Sequence, residues 1–587
     1  MTRSTRPDAP REAGHGRPPR ARRGTPPPAG RPTAAPVAAG GRARGAGLRP
    51  ATGGTAAVAE TGRLGRHLAR AAAVTAVLTA AGSLFGLVRD QTIARFFGAG
   101  GDTDAFLVAW TVPETAATLL IEDAMALVLI PAFSLALSRR ATSPQGTPGT
   151  PPGPDPVRAL VAATLPRLLA VLVCAAALLA LLAPQLVAVL APGLREPATA
   201  VDCTRLTSLT VVGFGLAGYF SAALRAHRSF LAPAAIYVTY NLGIVALMVA
   251  GHVTWGVRSA AVGVAVGAGL MALVQLPPFW RHLRRAPRPA GATLRRAAAR
   301  APLLGAATFV PVVSFALTRQ AQVLVERHLG SALPPGAISH LNYAQKIAQM
   351  PMVLSLMVVT VTFPVVARAV ADGDAVRARR RVERDLALAA AVVLVGAAYV
   401  VACAPQIVQL LFQRGAFGAA DTAATASVMR VYACGLLGHS LTGALVRPFF
   451  SASRPTWYPA LAMAAGLLVT VAVGRLSVHH LGVHGIAAAN ALGITTTALL
   501  LLRGLGSRVV AVRVRAVAGS LARLVGAAVP AAGAGWAVGL LSTSPLTGAA
   551  AGAAAVLVTF ACAATALGAP QVPELFATVK RRLVHAR

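Results

Sequence analysis

The residues best placed to do chemistry are charges set inside long apolar runs. Arg89, Asp90 and Arg95 lie in the first such run, Asp104 opens the second, and Glu114, Glu122 and Asp123 follow within it. Further along, Arg319, Glu326 and Arg327 share one run, Lys346 lies in the next, and Arg430 and Arg447 share another. A charge held in hydrocarbon costs about 2.5–3.5 kcal/mol on insertion scales, so such groups must pair internally or line water. Arg89 lies well inside its run, and lining a polar cavity is the role expected of it. Neighbouring helical residues diverge by roughly 100°, so Arg89 can face a cavity while Asp90 pairs with another helix. Glu122 and Asp123 read equally well as cavity acids or as partners within their helix. Arg95, Glu326, Arg327 and Arg430 are expected near helix ends, with their heads reaching the membrane surface.

Nothing in the chain has the spacing of a catalytic centre. HExxH, the glycine-rich phosphate loop ending in Lys-Ser/Thr, GxSxG and a magnesium-holding aspartate pair are all missing, so no enzyme is expected. His479, His480 and His484 fall in a connection and are read as solvated. The five cysteines form no CxxC pair and four lie in apolar runs, where cysteine behaves as a small hydrophobe. No disulfide, metal or cofactor is expected. Trp255, Trp280 and Trp457 fall at the ends of apolar runs, as interfacial anchors do.

The elements that must position these charges are membrane helices. Of 587 residues 55% are apolar and only 13% charged, and the mean hydropathy is +0.63, too little polar surface for a soluble globule. The net charge of +36 sits in the amino-terminal segment and in short connections, a pattern of membrane topology that points to no nucleic-acid partner. Residues 1–66, rich in Pro, Gly, Ala and Arg, read as a disordered basic tail. Stretches of roughly 20 residues able to cross about 30 Å of hydrocarbon occur near 71–97, 104–137, 159–192, 206–225, 231–250, 258–280 and 302–328. Seven more follow near 339–370, 386–412, 423–450, 456–474, 484–502, 517–540 and 546–568, making about fourteen. Arginines cluster on the even-numbered connections: Arg139, Arg140 and Arg158; Arg225 and Arg228; Arg281, Arg284, Arg285 and Arg288; Arg377, Arg379, Arg380 and Arg381. Arg454, then Arg508, Arg513 and Arg515, and finally Lys580, Arg581 and Arg582 continue the alternation. The positive-inside rule then puts both termini in the cytoplasm, and the polytopic helical chain is expected in the inner membrane.

VGFGLAGYFSAALRAHRSFLAP, in the fourth span, is similar to CGLLGHSLTGALVRPFFSASRPTWYP in the tenth, with Gly215 and Gly218 set against Gly435 and Gly438. Six spans separate the copies, which gives an all-α polytopic fold of two six-helix lobes as parallel repeats plus a terminal helix pair. The boundaries read 67–285, 286–510 and 511–570, with 571–587 as a cytoplasmic tail.

Four strings carry a family resemblance: GSLFGLVRDQTIARFFGAGGDTDAF (82–106), SALPPGAISHLNYAQKIAQMP (331–351), LFQRGAFGAADT (411–422) and LGVHGIAAANALG (481–493). In order and spacing, across roughly residues 70–510, they resemble the MurJ/MviN family of lipid II flippases, within the multidrug/oligosaccharidyl-lipid/polysaccharide exporter superfamily. The resemblance implies a central cavity between two lobes, a lateral groove from spans 13 and 14 for a polyprenyl tail, and alternating access. The implied substrate is an undecaprenyl-diphosphate-linked muropeptide, moved from the inner to the outer leaflet, with membrane lipids and cell-wall synthesis proteins as further partners. Arg89 and Asp104 match the family's cavity residues, and Glu122 falls where the family commonly has a glutamate. Elsewhere the chain departs: Ser83 and Thr118 stand where the family has arginines, and its YADR string reads Tyr343-Ala344-Gln345-Lys346, a point charge in place of a bidentate fork. Glu114 and Asp123 add negative charge. Arg89, Lys346 and Arg319 are the contacts expected for the diphosphate. Span 11 lacks ligands for sodium, which favours coupling to protons or to the membrane potential. Two alternatives stay open: export of another polyprenyl-linked glycan or amphiphile, and a non-transporting scaffold for cell-wall synthases.

Overall fold

The computed structural model describes residues 53–142, 155–284, 310–356, 374–450, 456–508 and 512–569. Most of the expected tail (1–52), the basic residues Arg285, Arg288, Arg454, Lys580, Arg581 and Arg582, and residues 357–370 of the eighth span lie outside them. The chain divides into two units, Met1–Leu64 and Gly65–Arg587; the described part of the first is the opening of one helix.

Every regular element among the described residues is helical. The chain opens with α1 (Gly53–Phe97), so residues 53–66, expected as tail, are helical. Then come α2 (Gly101–Ala117), a π-helical turn (Thr118–Ala124) and α3 (Met125–Thr142). Next are α4 (Pro156–Leu181), α5 (Ala183–Leu190), α6 (Pro197–Ser208), α7 (Thr210–Ala226), α8 (Leu231–Trp255) and α9 (Arg258–Arg284). The second half holds α10 (Val310–Gly330), α11 (Ala337–Ala348), α12 (Ala375–Phe412), α13 (Ala419–Ala433), α14 (Leu436–Phe450) and α15 (Tyr458–Arg508). The last pair is α16 (Val514–Leu540) and α17 (Pro545–Ala566). Ten helical stretches among the described residues are long and apolar enough to cross a membrane. The expected spans near 71–97, 302–328, 339–370 and 423–450 are not among those ten, although their described parts are helical; α10, for one, carries Arg319, Glu326 and Arg327. Length and hydropathy therefore support ten of the fourteen.

Local chemistry explains where the helices start and bend. Asp155 accepts from the backbone N–H groups of Val157 and Arg158, and Pro156 takes the first helical position, where no N–H is needed. Asp374 likewise accepts from Arg377 N at 2.9 Å at the start of α12. A π-helical turn follows Pro113 in the second span. In α12 a non-helical Cys403 precedes Pro405, whose missing N–H breaks the ladder. In α15 Gly482 takes φ 52° and ψ −129°, a conformation L residues avoid, and splits the element into the spans Tyr458–Leu481 and Val483–Leu505.

Packing relies on small residues, because lipid chains give apolar helices little reason to associate and close backbone approach must supply the attraction. α7 packs on α9, where a Cβ added to Gly213 would lie 2.7 Å from the Ala268 carbonyl carbon. α14 packs on the second arm of α15, where the same atom on Gly438 would lie 2.9 Å from Thr495 N. The repeated glycines themselves differ in use: Gly215 faces Leu172 and Gly218 faces Leu120, whereas Gly435 and Gly438 both face α15. Burial sorts the helices by neighbour. The α6–α7 stretch is 72% buried in its apolar window and is interior, whereas α4, at 11%, presents nearly all of its window outward. α16 and α17 pack on each other and on α12.

The two arms of α15 touch at Gly466 and Gly493, where a methyl on Gly466 would meet the Gly493 carbonyl oxygen at 2.5 Å. Gly466→Ala is expected to destabilise the protein by about 1–3 kcal/mol through overpacking. Gly269→Ala, which would face open space, is the control. Thermal unfolding of the purified protein checks this: Tm should fall for the first variant and hold for the second.

Candidate functional site

Arg89 and Asp90 of α1 meet Trp110 of α2, Asn241 of α8 and Lys346 of α11. The Arg89 guanidinium donates to Asp90 Oδ1 from Nε (3.0 Å) and Nη2 (2.8 Å), and to Asn241 Oδ1 from Nη1 (2.9 Å). Asn241 in turn donates to the carbonyls of Gly82 and Tyr237, which fixes its orientation. Lys346 Nζ approaches the same Asp90 oxygen at 3.5 Å. Asp90 thus pairs with another helix, while Arg89 folds back on it and is only 9% exposed. Both cations lie over one indole, at 4.6 Å for Arg89 and 4.8 Å for Lys346 from the Trp110 ring centroid. Trp110 is held there by its Nε1–H donating to the Tyr240 hydroxyl at 3.2 Å. A ring face attracts cations most strongly when water is excluded, so Trp110 helps to hold two like charges together. The nearest shell, Arg89, Lys346 and Asp90, carries one surplus positive charge; Glu114, one turn beyond Trp110, also acts on Arg89.

Lys346 differs from Arg89 in what it leaves open. Its nitrogen is buried and makes no hydrogen bond. It also lines a cavity of about 920 Å³. Ser83 and Gln349 stand with it at the polar end, and Pro351, Leu354, Val395 and Phe560 are among the apolar side chains beyond. The walls come from α1, the stretch at 350–356, α12 and α17. Of the terminal pair expected to form a groove, only α17 contributes to the lining; α16 packs behind it, with Gly535 against Val556. A volume of this size, apolar with a few convergent polar groups, is what binding sites for small amphiphiles have.

The other expected site residues lie elsewhere. Asp104 is 3% exposed and takes the N–H groups of Gly336 and Ser339 at 2.7 Å each, plus the Ser339 hydroxyl at 2.6 Å. It caps the start of α11 and does not line the cavity. Arg319 is exposed on α10 and does not line it either. Glu122 lies in the π turn, and its side chain, like that of Asp123, falls outside the described residues. Of the two positions with lost arginines, Ser83 lines the cavity, and Thr118 accepts from Gln320 at 3.4 Å.

Two further charges were expected at the membrane surface and are buried instead. Glu326, 2% exposed, accepts from Tyr432 OH (2.9 Å) and Asn490 Nδ2 (2.5 Å). Asn490 Oδ1 lies 3.1 Å from His439 Nε2. Arg327, 3% exposed, donates to Thr111 Oγ1, Ile338 O and Asn342 Oδ1. No signal in the chain pointed to these roles, because Tyr432 and Asn490 are 106 and 164 residues from Glu326.

Asp104 belongs to a set of contacts at one end of the bundle. Ala416 N donates to Arg95 O at 2.9 Å, Gly193 N donates to Ser331 Oγ at 3.3 Å, and His328 Nδ1 lies 3.0 Å from Val189 O. Gly98, Gly336 and Gly415 all have positive φ here, and any Cβ on Gly336 would meet the Ala99 carbonyl oxygen at 2.5 Å. Residues 95–104 and 189–193 are thereby tied to 328–339 and 416, and this end is closed.

Several known proteins are similar to this chain. The profile of the family described as "Lipid II flippase MurJ" matches residues 93–548. A "Probable lipid II flippase MurJ" of Rhizobium meliloti (strain 1021) is 27% identical over 427 residues, covering 71% of this chain and 77% of its own. A "Lipid II flippase MurJ" of Burkholderia cenocepacia is 27% identical over 453 residues, covering 75% and 84%. Among solved structures, "Lipid II flippase MurJ, inward closed conformation" superposes with a TM-score of 0.65 at 16% identity, covering 83% of this chain and 97% of that one. An inward-facing multidrug resistance MATE family transporter of the MOP superfamily gives 0.57 at 14% identity, covering 76% and 99%. At such identities the likeness is one of fold.

Asp104→Asn keeps the shape but offers an amide N–H₂ where the cap needs an acceptor. Loss of a charge-assisted cap is expected to cost about 1–3 kcal/mol, read as a lower Tm, while retention of a lipid diphosphate by the purified variant stays at the wild-type level. A variant with unchanged Tm and lost lipid retention would move Asp104 from the cap to the binding site.

Proposed function

The chain belongs to the MurJ family of lipid II flippases, a transporter family and not an enzyme class, and from that premise we propose that it moves an undecaprenyl-diphosphate-linked muropeptide from the inner to the outer leaflet. It is a multi-pass membrane protein. The observation that carries the substrate reading is Lys346: a buried ammonium with no hydrogen bond, at the polar end of an apolar cavity of about 920 Å³. A buried charge with unmade hydrogen bonds is costly, and phosphate oxygens relieve that cost with short charge-assisted bonds. The apolar walls suit a polyprenyl chain. Arg89, bound on several sides, acts by holding Asp90 and Trp110, which keep Lys346 beside the cavity.

In this reading residues 67–285 and 286–510 form the two lobes and 511–570 the terminal pair, supported by matched packing of span 4 on span 6 and span 10 on span 12. The arginine-rich connections face the cytoplasm of the inner membrane, with both termini on that side, and the end closed through Asp104 faces outward. Alternating access then requires the Asp104 cap and the neighbouring backbone bonds to break as the cavity turns outward. Protons or the membrane potential supply the drive. A second cargo, another polyprenyl-linked glycan, is favoured by one observation: with serine at 83 and threonine at 118, Lys346 is the only cation lining the cavity among the described residues.

Reconstituted protein with lipid II tests the reading. Lys346→Gln should cut transport about 10–100-fold, the worth of one charge-assisted hydrogen bond. Lys346→Arg should retain transport, since a guanidinium supplies the same charge. Equal transport by wild type and Lys346→Gln, at equal Tm, would overturn the role of Lys346. Rescue of a strain depleted of its own lipid II flippase separates the two cargoes.

A further inference from the structure

The start of α12 holds a second basic site away from Lys346. Arg377, Arg380, Arg381 and Arg384 follow the spacing i, i+3, i+4, i+7 and share one helix face. With Val376 and the one carboxylate Asp374, whose Oδ1 is taken by Arg377 N, they border a pocket of about 340 Å³. Arg381 pairs with Asp385 at 3.2 Å and Arg384 is also engaged. Arg377 and Arg380 are exposed, and their guanidinium groups have no partner among the described residues. Like charges at these spacings repel and weaken the helix. Membrane topology asks for arginines on this side but does not ask that they converge on one hollow. An anion in the hollow removes the repulsion, and planar guanidinium forks match phosphate oxygens in pairs.

The same helix face leads to the cavity. Ala391 lies two turns beyond Arg384, about 10 Å along the axis, and with Val395 and Tyr399 it lines the apolar walls. The pocket sits where the span Arg379–Phe412 begins. We propose that the Arg377–Arg384 pocket is a second phosphate-binding subsite, which captures the diphosphate headgroup of the lipid substrate at the membrane surface before it passes to Lys346. This rests on the reading of the substrate as a polyprenyl diphosphate. Continuity with the apolar wall selects a lipid-borne diphosphate over the free ion, because only the lipid has a tail to lay along Ala391 and Val395.

The test uses the full chain in phosphatidylcholine nanodiscs, with undecaprenyl diphosphate, phosphatidylglycerol and inorganic pyrophosphate as probes. The double variant Arg377→Gln/Arg380→Gln should raise the Kd for undecaprenyl diphosphate about 10-fold. Its transport of lipid II should fall by a similar factor at low lipid and recover as lipid is raised. Arg377→Lys/Arg380→Lys should restore much of the loss, and the Tm of both variants controls for folding. Unchanged binding in the glutamine variant overturns the subsite. So does competition by phosphatidylglycerol at equal concentration, which marks a general anionic-lipid surface, or pyrophosphate binding as tight as the lipid, which marks a free-ion site. If wild type itself neither binds nor moves the diphosphate lipid, the substrate reading falls and the subsite with it; if wild type does both and the variant is unaltered, the subsite alone falls.

Discussion

The arrangement turns on one constraint: a single carboxylate, Asp90, has to serve two cations in a medium of low dielectric. One of its oxygens takes both Nε and Nη2 of Arg89 and sits 3.5 Å from Lys346. Breaking a buried pair by losing one partner typically costs 3–5 kcal/mol. α1 and α11 are therefore tied together for as long as this charge is shared. Trp110 and Asn241 complete the shell, so four helices converge on it. The arrangement gives each nitrogen of Arg89 a hydrogen bond and leaves Lys346 Nζ with none. In the proposed reading that inequality makes Lys346 the group that gains from a ligand, and the apolar cavity it lines sets what kind of ligand gains most.

The same logic governs the closed end. Asp104 is buried, and three donors from the start of α11 satisfy it. α11 therefore carries Lys346 near one end and is capped by Asp104 at the other. A motion that released the cap would move the helix that positions Lys346, so access at the closed end and the state of the cation are mechanically linked through twelve residues of α11. Glu326 and Arg327 on α10 reinforce this region, since Arg327 reaches back to Thr111 of α2 and forward to Asn342 of α11.

How much was legible in the chain can be judged residue by residue. Helix class and the membrane character of the chain followed from composition and run length, and the bend at Gly482 fell in an expected connection, because a glycine-containing break between apolar runs is a local property. The family strings named Arg89 and Lys346, and the structure brings these two together over Trp110. Asp104 was read as a cavity group from the same strings but caps a helix, since a motif gives residue type and order but not which helix start lies opposite. Glu326 and Arg327 were placed at the membrane surface because proximity to the end of an apolar run usually means that; Tyr432, Asn490 and Asn342 bury them instead.

The sequence by itself determined the medium, the helices and the sign of each charge, because hydropathy, cap residues and glycine breaks act over a turn or two of chain. Only the tertiary structure decided which charges are spent on one another and which is left for a ligand. Arg89 and Asn241 are 152 residues apart, Asp104 and Ser339 are 235 apart, and their meeting depends on how helices stack through small residues rather than on either neighbourhood in the chain. A buried ionic group is worth what its surroundings leave unsatisfied, and that quantity exists only once the helices are packed.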